Sequence, residues 1–270
     1  MSSSTSTTSV NVEIKPQKVW DCLREEARVA SEQQPLMASY FHANILNHDT
    51  FASAISFFLS HHLASEYVSS MILRDVFVQA IKSDPSIEER MLQDLMAHYT
   101  RDPTCDEYVT PLLYFKGYHA IQSYRIAHWL WQEGRTLFAY YMQNRIAELF
   151  HVDVHPAAQI AGGLMLDHAT GVVIGETTVI EENVSMLHAV TLGGSGATIG
   201  KRHPTIGRGV LLSAGAKVLG GISIGEGTSI GAGSVVLENM PANSTVVGVP
   251  ARVVGRSRSA MPSLDMDHNG

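Results

Sequence analysis

Cysteine is nearly missing from this chain of 270 residues. Cys22 and Cys105 stand alone, at a spacing that makes neither a disulfide framework nor a metal motif, so a reducing compartment is expected. Basic residues are outnumbered too, and a net charge of −7 argues against nucleic acid as the main partner. No apolar run reaches the ~18 residues of an ordinary membrane span. Met1–Val10 is almost entirely Ser, Thr and Val. It has neither the basic start nor the apolar centre of a secretory signal, and residues 1–14 are expected to form a disordered tail. No P-loop or dinucleotide fingerprint is present, so no ATP or NAD role is indicated. What remains is a soluble cytoplasmic protein with room for two domains and no membrane or nucleic-acid partner.

Glycine is scarce in one half only. Residues 15–150 hold just Gly117 and Gly134, while 20 of the 22 glycines follow residue 150. In the first half apolar residues recur at helical spacing, as in Val19, Leu23, Ala27 and Ala30, or Phe51, Ile55, Phe58 and Leu59. Tyr118–Trp131 and Leu137–Phe150 read as two further helices with Gly134 at their turn. Asp84-Pro85 and Asp102-Pro103 read as helix breaks or starts.

The second half keeps a different beat. Val154, Ile160, Leu166, Val172, Thr178, Val184 and Val190 fall six residues apart, and after one gap Ile206, Leu212, Val218, Ile224, Ile230 and Val236 resume the count. Twelve of these thirteen slots are Val, Ile or Leu, against roughly a quarter aliphatic positions in an average chain. A six-residue period fits a solenoid of short strands and turns, three hexapeptides to a triangular coil. Glycines just behind the slots suit the sharp corners. The expected fold class is therefore α+β: an N-terminal α-helical domain (15–150) followed by a left-handed parallel β-helix of hexapeptide repeats (151–255). A flexible C-terminal tail (256–270) closes the chain. The helical domain is expected to cap the open end of the solenoid, which otherwise exposes unpaired strand backbone.

Two places stand out. One is His151–Pro156 with Met165–Gly171. The other is the gap, where Val190 to Ile206 spans 16 residues instead of the 12 of two hexapeptides. Insertions in solenoids commonly build the binding face. His168 lies two residues past a slot and should face outward at a corner. Asp153 lies one coil down and three residues displaced; a hydrogen bond between the two is allowed by this arithmetic but not fixed by it. Such a pair would be a general base for a hydroxyl. On the residues alone, Asp102 reads as a helix cap before Pro103, and Arg202-His203 as a solvated loop.

The strings Val152–Ala158, Leu166–Gly171 and Arg202-His203-Pro204 resemble serine O-acetyltransferase, within the wider hexapeptide-repeat acyltransferases. Thr100–Pro103, Thr110–Tyr114 and Gly248–Arg252 match the same family, and the likeness covers roughly residues 17–267. The resemblance implies acetyl transfer from acetyl-CoA to the hydroxyl of L-serine, giving O-acetyl-L-serine for cysteine synthesis. It implies His168 as general base with Asp153 as its dyad partner. Asp102 and Asp167 would hold the substrate ammonium, Arg202 its carboxylate, and His203 would be a second substrate contact. Gly194, Ala214, Gly215, Lys217 and Arg252 are the expected coenzyme A contacts, with acetyl-CoA as cosubstrate and no metal. His155 and His188 receive no catalytic role. A homotrimer pairing into a hexamer is implied, as is L-cysteine as feedback inhibitor. Many family members end in an isoleucine tail that binds O-acetylserine sulfhydrylase; this sequence ends Met266–Gly270, so that complex is not expected of it. The rival readings are a transferase for another hydroxyl acceptor, a zinc hydratase on the same solenoid, and a scaffold without chemistry.

Overall fold

The computed structural model describes residues 16–196 and 200–266. Eight helices come first: α1 (Pro16–Gln33), α2 (Ala38–Phe41), α3 (Phe51–Leu63), α4 (Ser70–Ser83), α5 (Ser86–Arg101), α6 (Val109–Tyr114), α7 (Lys116–Gln132) and α8 (Thr136–Phe150). The predicted stripes are buried, as Leu23, Ala27, Ile55 and Leu59 illustrate. Asp84 starts α5 by accepting from the Ser86 amide at 3.0 Å, whereas Asp102-Pro103 ends the same helix. Gly134 makes the α7–α8 turn with φ +72°, a conformation that favours glycine.

From residue 152 the chain winds into a three-sided prism of parallel strands. The first side stacks β1 (Val152–Val154), β4 (Val172–Ile174), β7 (Thr191–Gly193), β10 (Lys217–Leu219) and β13 (Val235–Val236). The second stacks β2 (Gln159–Ile160), β5 (Val179–Ile180), β8 (Thr205–Ile206) and β11 (Ser223–Ile224). The third stacks β3 (Met165–Leu166), β6 (Ser185–Met186), β9 (Leu211–Leu212), β12 (Ser229–Ile230) and β14 (Ser244–Gly248), with β15 (Ala251–Arg256) added antiparallel.

The register differs from the even beat in two respects. Val154 pairs with Ile174, twenty residues on, whereas Ile206 pairs with Ile224, eighteen on. Two extra residues therefore enter the corner after Leu166, and the inner positions become Ile174, Ile180, Met186 and Leu192 rather than Val172, Thr178, Val184 and Val190. Both sets are buried, because residues two apart on a strand share a face. This explains Thr178, the one slot without an aliphatic residue: Ile180 is the true inner position. Likewise Ile180 pairs with Ile206, twenty-six on, so the loop before β8 carries eight extra residues rather than four.

The helical domain seals the first coil. Asp94 on α5 accepts from Arg125 Nε (3.0 Å) and Nη2 (2.6 Å), from Gln122 Nε2 (3.0 Å) and from the Leu164 amide (2.9 Å). Arg125 in turn donates to the Ile160 and Ala161 carbonyls at 3.1 and 2.9 Å, and Tyr124 donates to Ala158 O. Burial raises the Asp94 carboxyl above its ordinary value, opposed by Arg125, Gln122 and the Leu164 amide. The other end is closed by the β14–β15 hairpin. Residues 257–266, expected within a flexible tail, instead fold back along the prism: Ser263, in α9 (Pro262–Asp265), donates to Asn183 O at 2.6 Å, and its carbonyl accepts from Ser185 Oγ at 2.8 Å. The expected disordered tail 1–14 and residues 267–270 lie outside the described residues. Among those described, no helix is long and apolar enough to cross a membrane.

Asp94→Ala leaves Arg125 buried without its anion and should cost about 3–5 kcal/mol in denaturant unfolding, with an unchanged midpoint contradicting the cap. Burial also pushes the His98 imidazole down to about 3 and the His119 imidazole down to about 4. Both stay neutral in the fold while the unfolded chain binds protons below about pH 6.5, so stability should fall as pH drops from there. His98→Phe should flatten that acid slope in melts taken between pH 7.5 and 5; a slope identical to the parent's would refute the assignment.

Candidate active site

The two extra residues after Leu166 are His168 and Ala169, both left-handed, with φ +54° and +60°. Such backbone is costly for residues other than glycine and persists where the surroundings enforce it. Ala169 is fully buried beneath α7, and a Cβ on Gly117 would stand only 2.0 Å from Leu166 O. Only glycine lets α7 lie this close. The bulge thus turns the His168 imidazole outward at the edge between the third and first sides, as its place past a slot implied.

The cleft at this edge has a volume of about 460 Å³. Asp102, Tyr114, Lys116, Asp167, His168 and Thr170 line it. Asp167 Oδ2 stands 3.7 Å from His168 Nε2, and Lys116 donates to Thr170 Oγ1. Asp102 is the C-cap of α5; its Oδ1 accepts from the Thr104 amide (2.9 Å) and hydroxyl (2.7 Å), which aims the carboxylate. One imidazole and two carboxylates so converge from the end of α5 and the bulge, with Lys116 at the start of α7 beside them.

Asp153 is not part of this cluster. It lies on the outer face of β1, pairs with Val173 and accepts from Gln143 Nε2 at 2.7 Å; no hydrogen bond joins it to His168. The coil here is twenty residues long, so the arithmetic based on eighteen placed the two too close.

Arg202 and His203 sit at the other edge of the first side, after β4. Arg202 Nη2 donates to Glu176 Oε2. Thr177 organises the pair: its Oγ1 accepts from the Arg202 and His203 amides at 3.1 and 3.0 Å. The Thr177 amide donates to His203 Nδ1 at 3.2 Å, so that nitrogen is the acceptor and the ring proton belongs on Nε2. His203 is 8% exposed, and burial, then Arg202, holds its imidazole below the ordinary value. Gly175 makes room for it, since a Cβ there would fall 2.0 Å from His203 Cδ2. Glu176, Thr177 and Gly175 were missed in the sequence, where they pass as an ordinary turn. The spacing 175–203 carries meaning only once the eight-residue loop is known to return to this edge.

Gly194 lies beside His203 at this same edge. Ala214 and Gly215 instead continue the His168 edge: Ala189 N donates to Thr170 O, Gly215 N to His188 O and Gly233 N to Ala214 O, one rung per coil. His188 meets His168 edge-on with ring centroids 5.9 Å apart. Lys217 reaches back to Ala189 O. Arg252 stands apart on the final hairpin, paired with Glu238 at 2.8 Å. His155 packs against Trp131 and Tyr140 as a wall residue. A wider opening of about 890 Å³ between the helices and the second side holds none of the candidate residues. No cluster of three His, Cys, Asp or Glu able to hold a metal exists among the described residues.

Residues 203–238 match the bacterial transferase hexapeptide model of six repeats, which sets the helix-capped prism among the hexapeptide-repeat transferases. Residues 19–123 match the model for the N-terminal domain of serine acetyltransferase. A serine acetyltransferase of Salmonella typhimurium is 50% identical over 251 residues, 93% of this chain and 92% of that protein. The crystal structure of serine acetyltransferase from Vibrio cholerae superposes with a TM-score of 0.93 at 52% identity, covering 95% of this chain and all of that one. Another, a serine acetyltransferase solved in complex with cysteine, gives a TM-score of 0.92 at 47% identity over 94% of this chain and 99% of its own. The chain belongs to the serine acetyltransferase family. It is an enzyme that acetylates serine.

Thr177→Val removes the hydroxyl that holds both loop amides and the His203 ring. Hydrogen exchange of the Arg202 and His203 amides should rise by about tenfold or more, with a stability cost of about 1–3 kcal/mol. Unchanged protection would show that the loop does not depend on this hydroxyl.

Proposed function

We propose that this enzyme transfers the acetyl group of acetyl-CoA to the Oγ of L-serine, releasing O-acetyl-L-serine and coenzyme A on the route to cysteine. The observation that carries the reading is the cleft in which His168 faces Asp102 and Asp167. Serine brings a hydroxyl that must lose a proton and an ammonium that needs anions. His168 takes the hydroxyl proton as the oxygen attacks the thioester carbonyl. The tetrahedral oxyanion collapses, the C–S bond breaks, and the imidazolium returns the proton to the departing thiolate. Asp153 is the expected partner of that imidazolium. Its carboxylate lies on the face between the two site edges, and the pairing needs movement or a neighbouring prism to form.

The substrate carboxylate needs a cation, and Arg202 provides a planar fork for it with His203 beside it. These two stand at the opposite edge of the first side from His168. One edge of one prism set against the other edge of its neighbour completes the site, which supports a homotrimer. Exposed Leu36, Tyr67, Met71 and Leu137 on the helical domain support pairing of trimers into a hexamer. Ala214, Gly215 and Lys217 run up the His168 edge as a wall and cation for the coenzyme arm, with Gly194 and Arg252 as further contacts. A Brucella abortus serine acetyltransferase solved with coenzyme A, at 46% identity and a TM-score of 0.88, supports that cosubstrate. A Neisseria gonorrhoeae serine acetyltransferase solved with serine, at 50% identity and a TM-score of 0.85, supports the acceptor. The cysteine complex supports inhibition by cysteine, which keeps serine's two charges and replaces its hydroxyl. The free thiols Cys22 and Cys105 fit a cytoplasmic setting.

The test follows thiol release from acetyl-CoA with L-serine. His168→Ala should lose about 10²–10⁴ in turnover with its fold retained. Mixing inactive His168→Ala and Arg202→Ala chains during refolding should restore activity, because neighbouring chains then assemble an intact site. Failure of the mixture to exceed either variant would contradict a shared site.

A further inference from the structure

Arg101 is the residue just before Asp102, and its guanidinium is buried, 7% exposed, with no carboxylate bonded to it among the described residues. Nη1 donates to Val184 O (3.2 Å) and Ser185 Oγ (3.1 Å), and Nη2 donates to Asn183 Oδ1 (3.0 Å). Among the described residues Nε has no partner, nor does either ring nitrogen of the buried His98 one turn earlier. Asp94 favours the charged guanidinium through space, but its carboxylate is already engaged by Arg125. An arginine buried this way is costly, and hydrogen bonds to neutral groups recover only part of the cost. Burial lowers its pKa to about 10. Capping α5 alone does not call for such a group.

What Arg101 grips explains the expense. Ser185 pairs with Met165 across β3 and β6, and β3 runs directly into Asp167 and His168. The planar fork thus ties the end of α5, and with it Asp102, to the strand beside the one that delivers the base. The same Ser185 hydroxyl donates to Ser263 O, so the returning C-terminal segment closes the clamp from outside. Asp102 itself is held through Oδ1 by Thr104, which leaves Oδ2 without a protein partner among the described residues.

We propose that Arg101 is a positioning residue for substrate binding: it fixes the distance between the ammonium-holding Asp102 and the His168 base by clamping α5 to β6. The assignment of the ammonium to Asp102 rests on the proposed reaction; the clamp itself does not. Lysine keeps the charge but cannot span three acceptors as the fork does.

In the intact enzyme, Arg101→Lys should raise the KM for serine about tenfold while kcat and the KM for acetyl-CoA stay within about twofold. Ser185→Ala, a milder cut through the same clamp, should raise it about two- to threefold. In an Asp102→Asn background, Arg101→Lys should add no further change, since the group it positions is already disabled. Exchange of the Thr104 and Cys105 amides, which bond to Asp102 Oδ1 and O, should accelerate in both single variants. A lower melting temperature with unchanged serine KM and unchanged exchange would overturn the proposal. Should the parent enzyme ignore serine, the reaction assigned above falls, and the amide exchange still decides whether Arg101 holds the loop.

Discussion

The first coil of the prism has no coil beneath it, and everything built on that coil depends on how its exposed backbone is satisfied. A buried Asp94–Arg125 pair, 1% and 3% exposed, does this by bonding the coil's own peptide groups on both partners. The contact is polar and directional, so it fixes orientation as well as proximity. It brings α5 and the start of α7 against the Leu166–Thr170 bulge. Asp102 and Lys116 then reach the cleft without belonging to the solenoid. Capping the open end and forming the site are one event in this fold.

The separation of His168 and Arg202 at two edges of the first side has a physical origin. Corners are where a β-helix can accept extra residues without disturbing its stacked interior. The two-residue bulge with His168 and the eight-residue loop with Arg202 occupy different corners flanking the same side. The proposed reaction calls for opposite charges at the two ends of its amino-acid substrate, and a single prism keeps Asp102 and Arg202 apart.

Much of this architecture was legible in the sequence because a solenoid repeats its constraint at every coil. The six-residue beat announced the prism, the scarcity of glycine marked off the helices, and the outward placement of His168 followed from its distance past Leu166. The register was harder. Val172, Thr178, Val184 and Val190 keep perfect time, yet they occupy the second inward position, because a slip of two residues preserves the facing of every side chain. Thr178 was the visible clue. The same slip spoiled the Asp153 arithmetic and hid half of the long loop's length. Thr177, Glu176 and Arg101 could not be read at all, since their partners lie 26, 26 and roughly 80 residues away and become neighbours only after folding.

The central claim is that an imidazole at a prism edge removes the proton of a serine hydroxyl. A crystal structure of the assembled enzyme with serine and coenzyme A bound tests it most directly. The serine Oγ should lie within about 2.6–3.2 Å of a His168 ring nitrogen, with the ammonium at Asp102 and the carboxylate at Arg202 of an adjacent protomer. Serine bound with its hydroxyl turned away from His168, or seated wholly elsewhere, would contradict it.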